Sequence, residues 1–218
     1  MTQTRMRIAA YDFASADGLR LETGGYYFLF ANAGNIDIID ETGSQVLAEG
    51  EGRFLASGVT VRGGGWLFTL TPADGPGLPA SIAGMELAST ITLDADQSYI
   101  FRADAVTSQP GAQTPRHGHR GPGIRRLLTG LLLAEVGDGT KRIRAGDAWF
   151  ESGEEWVVGS NISEGANTFI RVMVLPAELK GGQSSFVAAS PEEAAKPRAA
   201  QYHLFGEVDV LLEQRGNN

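Results

Sequence analysis

The stretch TPRHGHRGPGIRRLLTG, residues 114–130, holds two of the three histidines in the chain, His117 and His119. Side chains at i and i+2 of a β-strand point to the same face. The two imidazoles therefore project side by side, which is how a strand offers two nitrogens to one metal ion. Arg116, Arg120, Arg125 and Arg126 surround them, and no acidic residue occurs between Asp104 and Glu135. In a chain of formal charge −8 this is a local reversal of sign, and it marks a site.

Around that stretch, 218 residues have room for one large β domain or two fused small ones. A composition of 42% hydrophobic and 20% charged residues is that of a folded globular chain. The net acidity argues against a broad nucleic-acid or anionic-membrane surface, so neither partner is expected; a small basic pocket remains compatible with it. The longest apolar run, Leu127 to Val136, is interrupted by Thr129, Gly130 and Glu135 and is too short for a membrane span. The opening MTQTRMRIAAYDFASADG lacks the continuous apolar region of a signal peptide, so a cytoplasmic location is expected. There are no cysteines, which removes disulfides, thiolate metal sites and cysteine nucleophiles. Any metal must be held by nitrogen and oxygen. Asn161-Ile-Ser163 matches a glycosylation sequon and carries no weight without a secretion signal.

Short apolar segments separated by glycine-bearing turns dominate the chain. YYFLFA, NIDIID, SQVLAE, RFLAS, TVRG and WLFTLT follow one another from Tyr26 to Thr71. After the Pro/Gly-rich break at 72–84 come MELASTITL, SYIFRAD, IRRLL, LLLAEV, KRIRA, DAWFES, EWVVGS and TFIRVMVLP. This spacing predicts an all-β sandwich or barrel. Gly63-Gly64-Gly65 reads as a turn with no phosphate-binding meaning. One short helix is predicted, capped by Ser190 with Pro191 at its first position and Glu192 and Glu193 in its first turn. The tail YHLFGEVDVLLEQ, with the lone His203, reads equally as strand or helix.

The two halves resemble each other. Residues 21–34 align with 119–130, and 42–58 with 138–153, which suggests duplicated β units. Counted back from Gly25 and Gly123, Leu19 and Leu21 stand where the second half has His117 and His119. The expected division is 1–84, 85–180 carrying the histidines, and an extension at 181–218.

These residues resemble the cupin superfamily. Its first motif runs Gly, His-x-His, Glu, Gly, matched here by Gly111, His117-Gly-His119 and Gly130; its second opens with Gly-Asp, matched by Gly146-Asp147, AWFES and Gly153. The match covers roughly 98–175 and, in degenerate form, 19–72. The resemblance implies a bicupin: two related jelly-roll β-barrel halves with a site inside the second. It also implies a divalent transition metal (Fe, Mn, Ni, Zn or Cu) on three His and one Glu, and homodimers through exposed sheet edges. Two of those four ligand positions depart from the pattern: the Glu position falls on Gly123 and the third His near Trp156.

On this reading His117 and His119 are the candidate metal ligands, with Glu151 in DAWFES the nearest third. Strand alternation sends Arg125 and Leu127 inward and Arg126 outward. A buried guanidinium needs an anion, either a ligand carboxylate or an internal partner such as Glu151. The two uses of Glu151 compete. Trp149 shares its strand parity and offers an aromatic wall. Arg116 and Arg120 belong at the rim. Three functions follow: a metal-dependent enzyme of oxygenase or isomerase type on a small anionic molecule, a metal-free metabolite-binding or sensor protein using Arg125, Trp149 and Glu151, or an inert scaffold.

Overall fold

The computed structural model describes residues 2–79, 83–198 and 200–212. The chain folds into two compact units, one running to Ser98 and resuming at Val208, the other spanning Tyr99–Glu207. The first holds β1 (Gln3–Arg20), β2 (Tyr26–Phe30), β3 (Ile36–Asp40), β4 (Gly43–Leu47), β5 (Gly52–Leu55), β6 (Thr60–Pro72) and β7 (Ala83–Asp94). In the second lie β8 (Tyr99–Ser108), β9 (His117–His119), β10 (Gly123–Thr129), β11 (Leu131–Val136), β12 (Gly139–Arg144) and β13 (Ala148–Glu151). They are followed by β14 (Val157–Asn161), β15 (Asn167–Pro176), β16 (Phe186–Ala188), the one-turn helix α1 (Pro191–Ala194) and β17 (Ala200–Val210).

Pairing in the two units follows one plan, as a duplication requires. β10 lies between β13 and β15, as β2 lies between β5 and β6. β11 and β12 form a hairpin, as do β3 and β4. β15 pairs with β8, and β6 with β1. The roles of β14 and β15 are merged in β6, whose start pairs with β3 and whose remainder pairs with β2. Gly63, Gly64 and Gly65 lie inside this strand, not in the expected turn. A Cβ on Gly65 would stand 2.7 Å from the Phe30 carbonyl oxygen, so the strand can change partners there only without a side chain.

The second unit is built from two five-stranded sheets, β13-β10-β15-β8-β17 and β12-β11-β14-β9-β16, the two layers of a jelly roll. Leu127, Leu132, Ile143 and Trp149 pack at one end of its interior, and Ile100, Met173, Leu175 and Leu179 at the other. In the first unit Leu19 and Leu21 are buried in a continuous apolar core with Leu29, Val61 and Leu67. Where the second unit carries imidazoles the first carries hydrocarbon, worth roughly 1.5–3 kcal/mol per fully buried leucine.

The boundary expected at 84 falls at the start of β7, which pairs along β1, so this strand belongs to the first unit. The tail adds β17 to the β8 edge, settling the strand-or-helix alternative for residues through Val210. Ser190 caps α1, accepting from Glu193 N at 3.3 Å, with Pro191 at the first position. Among the described residues no helix is long and apolar enough to cross a membrane.

Candidate functional site

β9 is three residues long, held between β14 (His117 opposite Val157) and β16 (His119 opposite Phe186). Alternation places both imidazoles on one face, with ring centroids 4.9 Å apart at 89°. Nδ1 of His117 lies 2.8 Å from the Pro115 carbonyl oxygen. A carbonyl can only accept, so Nδ1 carries the proton and Nε2 keeps its lone pair. The Phe186 ring stacks on His117 at 4.6 Å and 14°.

The facing sheet supplies the charges. One cross-strand row runs Trp149, Arg125, Arg171, Asp104, and a second runs Glu151, Gly123, Met173, Arg102. Opposite residues share a face, so Arg125 and Arg171 stand side by side with like charge. Each is neutralised locally. Arg171 makes a two-pronged bond to Asp104, Nε at 2.9 Å and Nη2 at 2.8 Å. Arg125 Nη2 lies 2.7 Å from Glu151 Oε2, and Nη1 donates to the Gly123 carbonyl at 2.7 Å. The other carboxylate oxygen, Oε1, accepts from Trp149 Nε1 at 2.9 Å. The Arg125–Glu151 contact is an ion pair without an aligned N–H···O bond, and Oε2 accepts no hydrogen bond from the protein. His119 Nε2 stands 3.6 Å from that same oxygen.

Burial sets the protonation states. It holds His117 below the usual histidine range. His119 is pushed well below that range, first by burial and then by the charges of Arg125 and Arg171. Both are neutral at pH 7. Burial also brings the Arg125 guanidinium down to about 10, against the opposing pull of Glu151. For Arg171 burial pulls downward, but the charge and hydrogen bonds of Asp104, with Tyr202 and Glu151, together outweigh it and raise the pKa.

Gly123, at the Glu position of the motif, is closed to any side chain. A Cβ there would meet the Val172 carbonyl oxygen at 2.3 Å and Met173 Cγ at 2.6 Å. The strands β10 and β15 approach closely at this point, and the Gly123 carbonyl is taken by Arg125. Trp156, near the missing third His, is exposed. Among the described residues no group of three or more His, Asp, Glu or Cys side chains is placed to hold a metal ion. The physical reason lies in Glu151: a cation on its Oε2 would sit against the Arg125 guanidinium. As arranged, the donors do not fit a three-ligand centre, and His117 and His119 stand as two neutral imidazoles.

These side chains border two cavities of the second unit. An inner one of about 60 Å³ is walled by His117, His119, Arg125, Trp149, Glu151 and apolar residues such as Val157 and Phe169. An outer one of about 200 Å³ is walled by Arg102, Arg198, Ser184, Ser185 and Phe186. His119, Arg171 and Tyr202 border both, so the two cavities adjoin at these side chains. Arg102 is neutralised by Glu207 at 2.6 Å. Arg198 pairs with no carboxylate among the described residues; its guanidinium lies 4.0 Å from the Phe186 ring centroid and donates to Ser184 Oγ at 3.1 Å.

The other arginines of the stretch 116–126 fall as their parity demands, with one exception. Arg116 and Arg120 are exposed, Arg120 pairing with Glu178. Arg126, expected outward, is buried, its Nε donating to the Gly146 carbonyl at 2.9 Å. Asn161 of the sequon is buried and donates to the Ser108 and Gly165 carbonyls, a structural role. Arg171 escaped the sequence reading although it bears the same signal as Arg125, a lone cation inside the apolar run TFIRVMVLP. Arg198, Ser185 and Phe186 gave no comparable signal, because loop and edge residues reach the site only through the fold. His203 is exposed on β17.

No family model and no curated protein matches the sequence. Solved structures match the fold. The oxalate decarboxylase of Lactobacillus farciminis, solved as a formate complex, is 14% identical with a TM-score of 0.56, over 89% of this chain and 82% of that one. AerE from Microcystis aeruginosa is 13% identical with a TM-score of 0.56, over 78% and 88%. A cupin 2 conserved barrel domain protein from Leptotrichia buccalis is 11% identical with a TM-score of 0.51, over 79% and 88%. The chain therefore has the cupin fold, and at these identities the likeness is one of fold alone.

Proposed function

We propose that the second barrel binds a small organic anion, with the acid group at the outer cavity and the rest of the molecule reaching past His119 toward Trp149. The observation that carries this reading is the charge balance of the cavity walls. Arg102, Arg125 and Arg171 are each matched by Glu207, Glu151 and Asp104, whereas Arg198 is matched by no carboxylate among the described residues. One cationic charge is thus left facing a cavity, in a protein whose net charge is −8. The neighbouring hydroxyl of Ser184, which only accepts from Arg198 and the Phe186 amide, adds a donor suited to carboxylate oxygens. The oxalate decarboxylase of Lactobacillus farciminis, similar in fold, was solved with formate, a small carboxylate, which supports the choice of probes.

Thermal unfolding and calorimetric titration with formate, oxalate, acetate, succinate and phenylacetate test this. At least one acid is expected to stabilise the protein, and Arg198→Ala to weaken that acid about tenfold, the size of one charge-assisted hydrogen bond. Absence of stabilisation by every acid would overturn the reading. Elemental analysis of purified and metal-loaded protein is the companion measurement. Near-stoichiometric metal, lost in His117→Ala/His119→Ala, would replace it with the metal-dependent reading of oxygenase or isomerase type.

A further inference from the structure

We infer that the molecule bound in this barrel carries a hydroxyl or N–H donor in addition to its acid group, and that Glu151 Oε2 receives it. The inference rests on the anion reading above and narrows it. Hydrogen-bond valence, rather than charge, is what supports it. Glu151 is nine-tenths buried, yet Oε2 accepts no hydrogen bond from the protein. Few donors surround it: Trp149 Nε1 goes to Oε1, Arg125 Nη1 goes to the Gly123 carbonyl, and Arg125 Nη2, 2.7 Å away, makes an ion pair whose N–H bonds are not aligned on the oxygen. His119 Nε2, at 3.6 Å, is beyond hydrogen-bond distance whichever ring nitrogen holds its proton. His117 Nε2 adds a second lone pair, because its Nδ1 donates to Pro115. Glu151 Oε2 and His117 Nε2 are therefore two acceptors at the inner cavity, whereas Arg198 and the Ser184 hydroxyl offer donors at the outer one. A ligand that suits both is an acid on one side and a donor on the other. A plain acid of the same skeleton would leave the buried carboxylate oxygen with its ion pair to Arg125 but without a hydrogen bond, which is the costlier case.

The test uses matched acids on the intact protein. Lactate and alanine are compared with propionate, malate and aspartate with succinate, mandelate and phenylglycine with phenylacetate, each by calorimetric titration. The expected result is that, in the set that fits the cavity, a donor-bearing acid binds at least tenfold tighter than its plain counterpart. Glu151→Gln should bring that ratio close to one, whereas Arg198→Ala should weaken both members and keep the ratio. The wild-type ratio alone decides the matter if Glu151→Gln, which strips Arg125 of its partner, does not fold. Equal binding within every set overturns this inference and leaves the anion reading standing. No binding by any acid overturns both.

Discussion

At the scale of single residues, the Arg125–Glu151 pair governs what the site can be. The guanidinium is fully buried and its carboxylate nearly so. Removing one partner leaves an uncompensated charge in the barrel, so Glu151→Gln and Arg125→Met are each expected to lose about 3–5 kcal/mol. The double variant should lose clearly less than the sum, as measured by urea unfolding in a double-mutant cycle; additive losses would show that the pair is not coupled. The histidines give a second prediction. Both have their pKa lowered by burial, from an ordinary value of 6.5. Below that pH the unfolded chain binds protons that the folded chain does not, so stability is held above it and lost as pH falls toward the folded values. Each imidazole contributes a slope of up to about 1.4 kcal/mol per pH unit. Melting temperature should fall between pH 7 and pH 5, and less steeply in His119→Gln; identical slopes would mean that His119 is not held neutral. This residue-level chemistry was half legible. Parity in IRRLL and DAWFES placed Arg125, Trp149 and Glu151 on one face, and left two uses of Glu151 open. Only side-chain geometry shows Arg125 occupying it.

Among the elements, β10 and β9 differ in how firmly they are set. β10 lies between β13 and β15, and its close approach to β15 at Gly123 leaves no space for a Cβ. Gly123→Glu would restore the motif in sequence but not in structure. It is expected to lower the melting temperature by several degrees and to leave metal uptake unchanged, as judged by unfolding and elemental analysis together. A gain of bound metal with intact stability would contradict this close approach. β9 pairs at its other edge with β16, a three-residue strand whose Val187 is exposed. Amides of β16 should exchange with deuterium well before those of β15, whose residues Ile170 to Leu175 are all buried. Equal protection would mark β16 as a fixed wall rather than an edge. Most strands between Tyr26 and Pro176, and the one-turn helix, were readable because turn glycines and the Ser190-Pro191 cap are local signals; β16 and the unbroken course of β6 through its three glycines were not, and β17 stayed open between strand and helix. β1, 18 residues long, was not readable either, since its alternation is blurred by Ala9, Ala10 and Ala14.

For the whole molecule, duplication organises the account. Both units follow one pairing plan, and β2 in the aligned segment 21–34 finds its counterpart in β10 of 119–130. The duplication could be read from sequence because glycine spacing survives where side chains diverge. The compact boundary could not, because it depends on β7 pairing back to β1, a contact between distant parts of the chain. The two units differ in what fills them: Leu19 and Leu21 in one, His117 and His119 in the other. The proposed binding accordingly concerns the second unit. The chain's three tryptophans divide conveniently for testing this: Trp66 is buried in the first unit, Trp156 is exposed, and the Trp149 indole N–H is bonded to Glu151. The most direct measurement is to follow the three indole N–H signals by nitrogen-15 NMR while titrating the acid that binds best. The account predicts that the Trp149 signal moves saturably while Trp66 stays in place. A stationary Trp149, or a shift confined to Trp66, would contradict it.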